Sequence, residues 1–155
     1  MYRGGRTMAD SVHSFPYDRY TEEVWNSHNP EALAQFFAAD ARVHSMTPGV
    51  VAGTGLDYLK GRAQSLFNAF PDVHFEIEDI VQREDLLAAR VTLEGTQRGE
   101  FAGIPVTGKR MRVYDFAMYR IVGGKITDVW SLIDMHGLRD QLETSGSPSS
   151  SGNFR

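Results

Sequence analysis

Apolar residues recur at helical spacing in the first half of the chain and then give way to long runs with strand character. Tyr17, Tyr20, Val24 and Trp25 predict a helix over 15–28. Asn29 and Pro30 open a second helix, Glu31 to Ala39, with Leu33, Phe36 and Phe37 to one side and Asp40 at its end. Ala41 to Met46 reads as a short strand in which Val43 alternates with His44, and Thr47-Pro48-Gly49 turns the chain. Val50 to Gly53 is a second short strand. Gly55 to Phe70 is a third helix, with Leu59, Ala63, Leu66, Phe67 and Phe70 on one stripe, stopped by Pro71-Asp72. Four strands follow, over 73–82, 86–97, 109–122 and 126–133, and Gly123-Gly124 makes a tight hairpin turn. A short helix, Leu138 to Leu142, ends the pattern. Helices first and strands last predict an α+β fold. The long antiparallel strands would wrap the helices as a cone and leave a cavity between the two.

A length of 155 residues suits one domain. We divide it into a flexible N-terminal segment 1–14, a folded domain 15–143 and a disordered tail 144–155, the last because TSGSPSSSGNFR is rich in Ser and Gly without apolar period. Met8 is an alternative start to Met1. The formal charge of −4 offers no basic footprint for nucleic acid. No apolar run approaches the roughly 18 residues of a membrane span, and the N-terminus lacks the apolar core of a signal peptide. Cysteine is absent, which excludes disulfides and thiol nucleophiles. These features fit a cytoplasmic protein.

Candidate chemistry concentrates in the strands. In GKITDVWSLIDMH, strict alternation puts Ile126, Asp128, Trp130, Leu132 and Asp134 on one face, and Thr127, Val129, Ser131 and Ile133 on the other. A carboxylate after Trp130 and Leu132 either caps the next helix or sits in a pocket with a raised pKa. Asp115 is a second carboxylate among apolar neighbours. Tyr114, Phe116 and Met118 share the face opposite to it, and only one of these faces can line a cavity. Arg90 stands in the apolar run Leu86 to Leu93 and calls for a carboxylate partner, for which Asp115 and Asp134 are candidates. His44 could polarise a carbonyl or pass a proton. The histidines at 13, 28, 44, 74 and 136 show no metal-binding spacing, so no metal is expected. No phosphate-cradling glycine loop opens a helix.

Four stretches together carry a resemblance. They are Phe70-Pro71-Asp72-Val73-His74 with Ile77-Glu78-Asp79; the run Gly95-Thr96-Gln97-Arg98-Gly99-Glu100-Phe101-Ala102-Gly103-Ile104-Pro105; Thr107-Gly108-Lys109-Arg110; and Tyr119-Arg120-Ile121 with Gly124-Lys125-Ile126, Trp130 and Asp134. Their spacing, over about residues 18 to 142, resembles the SnoaL-like polyketide cyclases, or ester cyclases, within the nuclear-transport-factor-2-like cone folds. The resemblance implies an α+β cone, a homodimer formed through the sheet, and an enclosed apolar pocket for a small hydrophobic ligand. It also implies cofactor-free ring closure by intramolecular aldol condensation, with Asp134 in the acid/base position.

On this reading Asp134, His44 and Asp115 are the catalytic candidates. Arg90, Trp130, Tyr114, Phe116, Met118, Trp25 and Phe67 are candidates for substrate binding. Limonene-epoxide-hydrolase-like chemistry is disfavoured, because Thr92 stands where a second Asp would be needed beside Arg90. Isomerase-like chemistry could draw on Tyr17, Tyr20, Asp115 and Asp134. The alternative from another class is a non-catalytic cone-fold protein that binds a small apolar ligand.

Overall fold

The architecture was taken from a computed structural model, which describes residues 15–144. The expected flexible segment 1–14 lies outside the described residues, as does nearly all of the expected tail 144–155.

The first described element is a helical turn, α1 (Tyr17–Tyr20), which continues into a π-helical stretch, Thr21–Asn26. A 3₁₀ turn, Pro30–Ala32, follows, with the Asn29 side chain accepting from the Glu31 N–H at its start. Next come α2 (Leu33–Phe36), β1 (Phe37–His44), β2 (Val51–Thr54) and α3 (Leu56–Ala69). The rest is β3 (His74–Arg83), β4 (Leu86–Thr96), β5 (Arg110–Val122), β6 (Lys125–Ile133) and α4 (Met135–Glu143).

The six strands form one sheet in the order β2-β1-β6-β5-β4-β3. All neighbours are antiparallel except β1 and β6, which pair parallel. The inner face of the sheet packs on α1, α2 and α3. Its alternation is plainest on β5, where Met111, Val113, Asp115, Ala117 and Tyr119 are buried while Arg112, Tyr114, Phe116 and Met118 are exposed. This is the α+β cone expected from the order of elements.

Two elements differ from expectation. The second helix ends at Phe36, and Phe37 already has extended backbone and pairs with Ile126. Lys125 explains the early stop. Its Nζ donates to the carbonyls of Ala34, at 3.2 Å, and Gln35, at 2.6 Å, which α2 leaves without helical partners.

The other departure lies in β6. Its register with β5 slips by one residue, because Arg120 faces Asp128 whereas Ile121 faces Ile126. Thr127 is therefore an extra residue, a β-bulge. Ile126 points into the core, yet beyond the bulge Asp128, Trp130 and Leu132 point outward and Val129, Ser131 and Ile133 point inward. The single face expected for Ile126, Asp128, Trp130, Leu132 and Asp134 is corrected by that one residue.

Aromatic packing seals the helices against the sheet. The Tyr20 ring lies 5.5 Å from Phe36, 5.8 Å from Phe37 and 6.2 Å from Tyr119, in tilted and edge-on contacts. Asn26 secures the end of the π-helical stretch to the free edge of β3: its amide accepts from Phe75 N at 2.8 Å and donates to Phe75 O at 3.1 Å. The side chain thus acts as a short substitute for a further strand.

Candidate active site

Between the inner face of the sheet and the helices lies a cavity of about 250 Å³. Its walls are apolar and include Trp25, Leu33, Leu59, Leu66, Phe75 and Val129. The polar groups are few: Asp115, Ser131, Tyr20, Tyr119, Arg62 and Ser65. An apolar hollow with a handful of placed polar groups is the usual form of a small-molecule site, and this one falls just below the common size range of about 300–1,000 Å³.

Asp115 is the carboxyl in this cavity. Strand alternation on β5 places it on the same face as Ala117 and Tyr119, and the residue is 8% exposed. Ser131, across on β6, donates to it with Oγ 2.8 Å from Asp115 Oδ1. Burial raises the proton affinity of Asp115 above the ordinary carboxylate range; the Ser131 hydroxyl, the Arg62 charge and the Leu132 N–H oppose this only in part. A carboxyl poised in this way can both take and return a proton.

Tyrosines close the inner end. Tyr17 and Tyr119 share a hydrogen bond with their hydroxyls 3.2 Å apart, and Tyr20 packs against both rings. Burial raises all three phenols above their ordinary pKa, so they stay protonated at neutral pH. The loop after β4 supplies Phe101 to the wall. Gln97, fully buried, pins this loop by donating to Ile104 O at 3.1 Å and accepting from the Thr107 N–H and hydroxyl. These bonds hold the loop against the domain as one wall of the cavity.

The candidates named from sequence divide between the two faces of the sheet. Asp115 and Trp25 line the cavity, and Phe67 packs edge-on against Trp25 at 5.9 Å. Asp134 does not reach it. Asp134 is exposed at the N-cap of α4, where its carboxylate accepts from Gly137 N at 2.9 Å. The strand ends at Ile133, so an N-cap replaces the expected pocket position. His44 also lies on the outer face, because Ala41 and Val43 take the inward positions of β1. Its ring stacks on Trp130, with centroids 4.3 Å apart, and Nε2 lies 2.8 Å from Asp128 Oδ1.

Arg90 is on the outer face as well. Its partner is Asp79 on β3, at 2.6 Å, in place of the proposed Asp115 or Asp134, and its guanidinium lies over the Tyr114 ring. Tyr114, Phe116, Met118 and Trp130 share that outer face, so these candidates for substrate binding lie away from the cavity: the parity of β5 turns the Asp115 face inward, and the β6 bulge turns Trp130 outward. Thr92 sits beside Arg90 on the outer side and donates to Glu78 at 2.7 Å. An epoxide-hydrolase-like set built on Arg90 would therefore face away from the cavity.

Sequence reasoning missed Tyr119, Ser131 and Arg62 as site residues. Ser131 and Tyr119 were recoverable from alternation once Asp115 was chosen as the inward residue. Arg62 gave no signal, since it sits on the flank of the apolar stripe of α3.

Among the described residues no group of His, Asp and Glu side chains could hold a metal ion, and no helix is long and apolar enough to cross a membrane.

The SnoaL-like polyketide cyclase family model matches residues 17–142, and the chain belongs to that family. Solved structures share its fold. IdmH, a candidate polyketide cyclase from Streptomyces antibioticus, is 28% identical with a TM-score of 0.70, over 85% of this chain and 100% of that one. A candidate polyketide cyclase from Acidithiobacillus ferrooxidans is 26% identical with a TM-score of 0.71, over 81% of this chain and 90% of its own. AclR from Streptomyces galilaeus, a candidate hydroxylase, is also 26% identical, with a TM-score of 0.70 over 83% and 97% of the two chains. No curated protein matches the sequence.

Proposed function

We propose that the cavity is the active centre of a cofactor-free cyclase acting on an apolar, polyketide-like chain with at least two carbonyl groups. The observation that carries this reading is Asp115, a carboxyl of raised proton affinity on the wall of an apolar cavity, bonded to Ser131 and on the same strand face as Tyr119. Family membership supports the reaction class. Fold alone would not, since one fold hosts unrelated activities.

The reaction is an intramolecular aldol closure. Ionised Asp115 takes a proton from the carbon next to one carbonyl, and the C–H electron pair becomes the enolate. The enolate carbon attacks the second carbonyl carbon of the same molecule. A C–C bond forms, and the carbonyl π pair becomes an alkoxide. Asp115 returns its proton to that oxygen, so the balance closes without another reactant. When Tyr17 donates to Tyr119, the Tyr119 proton is left to bond the developing oxyanion. Ser131 holds the carboxylate in one orientation.

The test uses the protein and Asp115→Asn with a panel of polyketide methyl esters and related polycyclic compounds, following binding and turnover together. Turnover by the parent that the variant loses while still binding supports the cyclase. Binding without turnover by either protein replaces it with a ligand-binding role.

The outer face suits a second copy of the chain. Val81 is 68% exposed, Leu132 57%, Phe116 56% and Met118 46%, a concentration of apolar surface beyond scattered exposed residues. The Asp79–Arg90 and Asp128–Arg42 pairs lie on the same face with their charges already matched within the chain, so the patch can meet its own copy about a two-fold axis without a clash of like charge. The proposed homodimer joins through this face and leaves each cavity on the far side of its own sheet.

A further inference from the structure

We infer that Arg62 is a specificity residue and that the substrate class is anionic at one end. The inference rests on the cavity being the ligand site, as proposed above. It goes further by naming what the ligand must carry.

Helix α3 turns Leu59, Ala63, Leu66 and Phe67 into the core. Arg62 and Ser65, one turn apart, fall on the flank of that stripe, line the cavity and are exposed to solvent, which places them at its mouth. Among the described residues that line the cavity, Arg62 is the one cation and Asp115 the one carboxylate. The neighbouring cation on the helix, Lys60, is already paired with Glu31 at 2.7 Å. Among the described residues Arg62 has no such carboxylate; its charge acts through the cavity on Asp115 and Tyr20.

A guanidinium held at the rim of an apolar hollow, with Ser65 beside it, is a fork for a carboxylate. A ligand that placed its rings against Trp25 and Phe75 and its carboxylate on Arg62 would keep charge at the wet end. Its carbonyl-bearing part would lie toward Asp115. A neutral ester in the same place would leave the guanidinium without an ionic partner and would gain only the apolar contacts. The class assigned is thus a ring or polyketide chain ending in a free carboxylate, in preference to its methyl ester.

The probes are 2-naphthoic acid and methyl 2-naphthoate, matched in ring system and different in charge at neutral pH. Binding is followed by titration calorimetry for the parent, Arg62→Gln, Arg62→Lys and Asp115→Asn. Because Arg62 is solvent-exposed, the acid is expected to bind the parent about tenfold more tightly than the ester, with the preference falling as salt rises. Arg62→Gln should erase the preference while ester binding stays within about twofold, and Arg62→Lys should keep part of it. Asp115→Asn should keep or increase it, since an opposing carboxylate is gone. Equal binding of acid and ester by the parent, or a preference that survives Arg62→Gln, overturns the inference and leaves the cavity as a ligand site. Binding of neither probe overturns the inference together with the reading of the cavity on which it rests.

Discussion

Asp115 and Asp128 are buried carboxylates on adjacent strands that face opposite sides of the same sheet. Their surroundings drive them in opposite directions. Burial dominates at Asp115 and raises its pKa. Burial also acts upward on Asp128, but hydrogen bonds from His44 and Thr127 and the charge of Arg42 outweigh it and hold the pKa below the ordinary value. One side chain is kept ready to exchange a proton, and the other is kept as a fixed anion.

The first consequence concerns Asp115→Asn. Loss of an acid/base group should lower kcat by about 10²–10⁴-fold, with ligand binding retained. Parent kcat/KM should rise with pH through the raised pKa of Asp115, because the base must be ionised.

The same substitution should raise stability at neutral pH. Between about pH 3.9, the ordinary Asp value, and the raised value of Asp115, the folded chain holds a proton that the unfolded chain releases. Stability therefore falls as pH rises through that window, and the loss is complete above the folded pKa. Asn carries no such cost. Thermal melts should show a higher Tm for Asp115→Asn at pH 7, and the gain should vanish as pH falls below the ordinary carboxylate range.

Asp128→Asn should do the reverse. A depressed pKa contributes stability that is present above the ordinary value and lost as pH falls through the folded value. Asn keeps one neutral oxygen as acceptor but removes the charge that His44 and Arg42 bind and one of the two carboxylate oxygens, at a cost of about 1–2 kcal/mol. Urea unfolding at pH 7 should show the loss, and the gap between parent and variant should narrow in acid.

Asp134 offers a sharp contrast between capping and catalysis. Asp134→Asn preserves an N-cap acceptor and should leave turnover within about twofold, whereas Asp134→Ala should cost about 1 kcal/mol of stability through α4. A large loss of turnover in the Asn variant, with folding intact, would return Asp134 to the reaction and remove Asp115 from its proposed role.

Sheet-mediated pairing predicts that Phe116→Glu or Met118→Glu gives a monomer in sedimentation while the far-UV spectrum and ligand binding stay unchanged. A parent that is monomeric at micromolar concentration would exclude the proposed homodimer.

The fold was legible in the sequence because its signals are local. The stripe from Leu59 to Phe67, the Asn29 cap and the Gly123-Gly124 turn each name an element without help from distant contacts. The faces of the strands were not legible to the same degree. Nothing within Val113 to Tyr119 says which side meets the helices, since Tyr114, Phe116 and Met118 are as apolar as a core. The docking of Tyr17 and Tyr20 against Tyr119, contacts distant in sequence, shows which side it is. In β6, strict alternation carried past Thr127 put Asp128 and Trp130 on the side of Ile126. The bulge is set by pairing with β5, which a single strand's pattern does not contain.

That bulge constrains how the protein can vary. A point substitution changes what a position carries and leaves its direction as it was, so no exchange of side chains along β6 can bring Asp128 into the cavity or turn Ser131 out of it. Gain or loss of a single residue at 127 would turn one half of the strand relative to the other and exchange its wet and dry sides at once. The cavity wall formed by Val129, Ser131 and Ile133 and the outer face formed by Asp128, Trp130 and Leu132 can therefore diversify separately, although their residues alternate along one strand.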